Sequence, residues 1–240
     1  MAVPQSAFDL LAFSSPGWGG VLLKGLLNSI EIAVGGYGVG LLLGIGGACG
    51  KLYGGPITKD VLAVYTTIVR AVPELVLIVL LYYAGSDFIN RGLASLGLAG
   101  VDISGLAAGI LVIGFVQGAY TTEVLRGAIQ AIPPGQIEAA RSYGMRPVKV
   151  LWRITIPAML PYAISGLSNL WLIATKDTAL LAVVGFSELT LVTRQAAGAT
   201  KAYMFFFCVA GALYLGLTLL STLGTHALER RTRRWMPSLR

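Results

Sequence analysis

The chain has 240 residues, of which 55% are hydrophobic and only 12% charged, where an ordinary soluble domain carries roughly 25% charged residues. Eleven acidic and 18 basic side chains are too few to coat a water-soluble fold, which excludes a soluble enzyme and a disordered scaffold. The formal charge of +7 is no nucleic-acid footprint either, because the basic residues sit between apolar runs.

The length leaves room for about five or six crossings of roughly 20 residues each. Residues 1–20 hold no Lys or Arg, so no basic region precedes the first apolar run as it would in a removable signal peptide. They are expected to form a periplasmic N-terminal segment, followed by one membrane domain over residues 21–229 and a basic cytoplasmic tail over 230–240. The first apolar stretch is Leu26–Gly50. In it Gly36, Gly40 and Gly44 recur every four residues and share one helix face, a surface that lets another helix backbone approach closely. Its end only imitates a phosphate loop: position 45 is Ile and position 52 is Leu, so the required Gly and Ser or Thr are missing.

The second stretch, Val61–Tyr83, carries Arg70, Pro73 and Glu74. Read as one helix, it puts Arg70 and Glu74 on a common face. They then form an internal ion pair beside a proline bend, or Glu74 faces a transport path and receives an amine or guanidinium. Pro73 removes a backbone donor and so frees a carbonyl for the same path. Ser86–Ser104 is expected as an outer loop with room for a short helix. The third stretch, Leu106–Leu125, offers the hydroxyls of Tyr120 and Thr121, and Glu123 is expected to pair with Arg126. The fourth, Ala158–Val184, carries Lys176 and Asp177, which either meet the two ends of an amino acid or lie at the outer interface. Tyr203–Leu223 is the fifth. Charged residues inside spans are costly and face a cavity or a partner.

Twelve of the 18 basic residues fall between the first and second stretches, between the third and fourth, or after the fifth. Lys24, Arg91, Arg194 and Lys201 fall on the opposite side. Positive charge marks the cytoplasm, which predicts five helices with the N-terminus outside and the C-terminus inside. Cys49 and Cys208 lie in apolar runs and behave as small hydrophobes. His226 is interfacial. No nucleophile–base set, metal set or nucleotide motif occurs, so no catalytic residue, metal or cofactor is assigned to this chain.

The cytoplasmic stretch Gly127–Pro157 is the informative one. Pro133 and Pro134 start a short helix, Glu138 favours its N-terminal half, and Gly144 suits the left-handed residue that ends it. Glu138-Ala139-Ala140, three residues, Gly144, nine residues, then Ile154-Thr155-Ile156-Pro157 resembles the EAA loop of ABC-importer membrane subunits, with Ile156 in place of Leu. The flanking runs Arg70–Val76, Gly118–Glu123, Ile132–Gln136 and Lys176–Leu180 resemble the polar amino-acid permease branch. Val72–Val76 followed by Tyr82-Tyr83 is similar to the Q-type subunit of the histidine and lysine–arginine–ornithine permeases.

The resemblance implies a bacterial inner-membrane permease of the all-α, five-helix, MetI-like type I fold. Glu138, Ala139, Ala140 and Gly144 would belong to the helix that couples to an ATPase dimer, which holds ATP and Mg. A second permease subunit, homologous or identical, and a periplasmic amino-acid-binding protein are the other partners it implies. Ser86–Ser104 and Phe186–Thr193 would face the binding protein. The implied substrate is a basic amino acid, with opines as the alternative. An ion-coupled secondary transporter would explain the spans and buried charges but not the EAA spacing.

Overall fold

The computed structural model describes residues 7–95 and 105–233, and all regular structure among them is helical. The elements in order are α1 (Ala7–Leu10), α2 (Gly19–Tyr53), α3 (Pro56–Ala71), α4 (Glu74–Ser95), α5 (Gly105–Gln130), α6 (Pro134–Ser142), α7 (Pro147–Val150), α8 (Ile156–Asp177), α9 (Leu189–Thr200) and α10 (Tyr203–Arg233). A π turn at Leu151–Thr155 joins α7 to α8, and a 3-10 stretch, Thr178–Val184, extends α8.

Among the described residues, four helical runs are long and apolar enough to cross a membrane: Gly19–Tyr53, Gly105–Gln130, Pro147–Val184 and Tyr203–Thr232. They cover the first, third, fourth and fifth expected spans. The second expected span is not one helix. It is broken between α3 and α4, which bend by 117° and supply a fifth crossing only if taken together. Pro73 is the reason: it lacks an N–H and keeps the preceding residue out of the α region, and Val72 is extended at φ −89°, ψ 138°.

Packing centres on α2 against α5. Of the α2 glycine face, Gly36 meets Ile113, Gly40 meets Gln117 and Gly44 meets Thr121, so four-residue steps on both helices interlock. A Cβ at Gly36 or Gly40 would lie 2.7 Å from a side-chain carbon of α5, and one at Gly44 closer still. The glycine face is therefore used within the chain, and the contact holds α5 as a buried central helix.

The region after α8 differs from the expected outer loop. Gly185, in the left-handed region at φ +83°, ends the 3-10 stretch, and the chain re-enters as α9, with Leu189, Val192, Thr193, Ala196 and Ala197 buried. Leu22 of α2 and Phe206 and Ala210 of α10 belong to the same cluster. Half of Phe186–Thr193 is thus core: Glu188, Leu189, Val192 and Thr193 are buried. Glu188, fully buried, caps α9: its carboxylate accepts from the amides of Thr190 and Leu191 at 2.8 Å and from the Tyr214 hydroxyl at 3.0 Å. The expected loop Ser86–Ser104 is helical through Ser95 in α4, and the expected basic tail is helical through Arg233 in α10. The remainders of both lie outside the described residues, as do residues 1–6 of the expected N-terminal segment.

Candidate functional site

Besides the Glu188 cap, two places among the described residues are candidates for function. The first lies where the α3–α4 break meets the middle of α5 and the end of α8. Glu74 is the first residue of α4, where the helix dipole favours its charge. Its carboxyl lies beside the Tyr120 hydroxyl and the Asp177 carboxyl. Asp177 is 8% exposed and accepts a 3.2 Å hydrogen bond from Nε2 of Gln117. Gln117 is fully buried, and its Oε1 has no hydrogen-bond partner among the described residues. Two carboxyls, a phenol and an amide thus converge from three helices, α4, α5 and α8.

Arg70 does not share a helix face with Glu74, because the break separates them. It ends α3, half-exposed, within 4.0 Å of Glu123 and within electrostatic reach of Tyr120. Glu123 has more neighbours than the expected Arg126. It bonds Arg126 at 2.8 Å, and Lys51 of α2 at 2.5 Å. Lys51 also donates to Thr66 of α3 at 2.6 Å. One carboxylate therefore ties α2, α3 and α5 together, with cationic charge in excess.

Pro73 contributes through the backbone alone. The amide hydrogen it lacks would have gone to the carbonyl of Val69, four residues before it, while its own carbonyl accepts from the amides of Val76 and Leu77. Thr121 departs from its expected role. It is 1% exposed and packs on Gly44. Adjacent helix residues point about 100° apart, so Tyr120 can face Glu74 only if Thr121 turns into the α2–α5 contact. Lys176 is exposed, while its neighbour Asp177 is buried.

Gln117 was missed in the sequence. The available signal was a primary amide inside an otherwise apolar span, where burial without partners is costly.

The second place is the loop between α5 and α8. Helix α6 runs over Pro134–Ser142, with Pro134 at its start. Its end is a Schellman motif: the Met145 amide donates to Ala140 O at 3.2 Å and the Gly144 amide to Arg141 O at 2.8 Å. Gly144 has φ +73°, the left-handed conformation that Gly adopts without a steric penalty. Glu138 and Ala139 are exposed, but Ala140 is 6% exposed. Ala140 thus packs inward, and close approach from outside is open only at Ala139. Around the helix end, Tyr143 is 88% exposed, with Val148 and Trp152 also bare. Such a patch marks an interaction surface. The spacing pattern could not show it, since aromatic residues in a loop are as easily buried as bare.

Comparison with known proteins now decides the class. Residues 36–234 match the family model of the binding-protein-dependent transport system inner membrane component. The chain belongs to that family. It is 37% identical over 215 residues to the histidine/lysine/arginine/ornithine transport system permease protein HisQ of Escherichia coli (strain K12), covering 90% of this chain and 94% of that one. It is 35% identical to the octopine transport system permease protein OccQ of Rhizobium radiobacter, covering 94% and 96%. Among solved structures, an amino acid ABC transporter crystallised with histidines superimposes with a TM-score of 0.75 at 28% identity, covering 89% of this chain and 95% of that one. The MetNI methionine ABC transporter shares the fold, with a TM-score of 0.74 at 18% identity, covering 92% and 99%.

The chain is therefore a multi-pass inner-membrane permease of the ABC-importer class with the MetI-like fold. It is a transport component and not itself an enzyme, and its family works with an ATPase and a substrate-binding protein. Family membership removes the ion-coupled secondary transporter.

Proposed function

We propose that this permease carries basic amino acids inward, and that Glu74 and Asp177 receive their cationic side chains. The observation behind this reading is the facing of two carboxyls beside Tyr120, with Asp177 buried and Glu74 and Tyr120 half-buried. Two acids there repel unless a cation or a proton lies between them, and a guanidinium supplies planar donors suited to carboxylates. The relatives named for histidine, lysine, arginine and ornithine agree with that substrate class. Arg70, exposed at the end of α3, meets the substrate carboxylate. An opine is the second reading, favoured by the octopine relative. Its additional carboxylate would draw on the cationic excess at Arg70, Lys51 and Arg126.

The N-terminus is outside and the C-terminus in the cytoplasm. A second permease copy or homologue completes the path. Two ATPase subunits, holding ATP and Mg, dock at α6, with Glu138, Ala139 and Tyr143 on the contact. Closure of the ATPase dimer draws the coupling helices together and opens the spans outward; hydrolysis returns them. The test is uptake by the assembled transporter in proteoliposomes. Glu74→Gln and Asp177→Asn should each cut arginine uptake by roughly tenfold or more, the loss of one charge-assisted hydrogen bond, with amino-acid affinity of the binding protein unchanged. Undiminished arginine uptake by both variants would refute the carboxylate assignment.

A further inference from the structure

Apart from the carboxyl site, a cleft of about 340 Å³ opens between α2, α8 and α10. None of Glu74, Gln117, Tyr120 or Asp177 lines it. Its walls include Tyr37, Leu167, Trp171, Ser221, Gly224 and Leu228. The Tyr37 hydroxyl is turned away into a 3.1 Å bond to Leu167 O, and its ring sits edge-on to Trp171 at 5.5 Å. What remains is a mostly apolar slot with a fixed aromatic end. If each methylene takes about the ~30 Å³ of a water, the slot holds roughly a dozen of them.

On α10 the lining residues Ser221, Gly224, Thr225 and Leu228 follow steps of three and four, one stripe of a helix. The next position on that stripe is Arg231, exposed one turn beyond Leu228. The stripe thus carries a cation one turn beyond the residues that line the slot, at the end of the helix expected to lie in the cytoplasm. We propose that this cleft is a phospholipid site: an acyl chain lies along the α10 stripe, and an anionic headgroup pairs with Arg231. Lipid tails are as apolar as leucine, so packing alone seats the chain. Choice among lipids must then come from the headgroup, and the cytoplasmic leaflet is the anionic one. A cation on that stripe suits that occupant better than the apolar helix of a second subunit.

Trp171 reports on the site. The full chain with Trp18, Trp152 and Trp235 changed to Phe keeps Trp171 alone among its four tryptophans. Reconstituted in vesicles, it is titrated with phosphatidylglycerol or phosphatidylcholine brominated on the acyl chains, which quench a tryptophan they touch. The expected result is quenching by both, with roughly fivefold preference for phosphatidylglycerol, the worth of one arginine at an anionic surface. Arg231→Glu should abolish the preference and keep the quenching. Gly224→Leu should abolish quenching by filling the slot. A Cβ at Gly224 meets nothing within 4 Å, so the change leaves the backbone undisturbed. Equal quenching by the two lipids would overturn the headgroup assignment. Quenching untouched by Gly224→Leu, or none at all, would overturn the site, the latter indicating that protein covers the cleft.

Discussion

Gly40→Ala tests whether the glycine face of α2 determines both stability and the carboxyl site. The new Cβ would lie 2.7 Å from Gln117 Cβ and 3.2 Å from both the Gln117 carbonyl carbon and the Gly118 nitrogen. Ordinary contact begins at 3.4 Å, so α2 and α5 must part by about 0.7 Å, and no rotamer relieves a clash with backbone. Overpacking of this kind costs about 1–3 kcal/mol, which for a chain of this size lowers Tm by roughly 2–4 °C per kcal/mol. Gly38→Ala is the internal control, since a Cβ there meets nothing within 4 Å on the same helix. The assay is thermal unfolding of both variants in one detergent, followed by arginine uptake. Gly40→Ala should melt about 2–12 °C below Gly38→Ala. Its uptake should fall too, because Gln117 is the residue that holds Asp177. Equal melting of the two variants would refute the claim that α2 and α5 meet through this face.

Glu138→Arg should lower ATP-driven uptake about tenfold or more, on the scale of one lost charge-assisted contact, with membrane insertion intact by protease protection; unchanged uptake would remove Glu138 from the coupling surface. Gly144→Ala places an L side chain at φ +73°, at a cost of about 1–2 kcal/mol. It should weaken ATPase co-purification while Gly127→Ala, with open space at its Cβ, does not. Glu188→Ala leaves two amides and the Tyr214 hydroxyl without their acceptor in a buried site, where each unmet group costs about 1–3 kcal/mol. A Tm fall smaller than that of Gly40→Ala would show that water or another acceptor replaces the carboxylate.

Features tied to backbone chemistry were legible in the sequence, and features tied to helix phase were not. Paired prolines and a glycine four residues past the EAA run are local signals, and α6 forms where they put it, although Glu138 falls at its fifth residue, beyond the first turn. Pro73 was also visible, but the sequence reading kept the helix continuous. The extended Val72 before it turns that bend into a break, and with the break goes the shared face of Arg70 and Glu74. Phase is harder for a physical reason. In a soluble helix the polar stripe tells which side faces water. In α5 the buried side toward α2 itself carries the polar Gln117 and Thr121, and lipid supplies no contrast to mark the other side.

Tyr120 and Thr121 are therefore indistinguishable as path-lining hydroxyls until the partner helix is known. Yet the glycines of α2 held that information in part. A four-residue glycine face requires a matching face on its partner, and Ile113, Gln117 and Thr121 share one four-residue step. Setting that step against Gly36, Gly40 and Gly44 turns Thr121 inward. It also leaves Tyr120 about 100° away, toward the α4 side where Glu74 lies. The same register seats the Gln117 stem on Gly40 while its amide reaches Asp177, so one row of small residues orients the wall that carries the site.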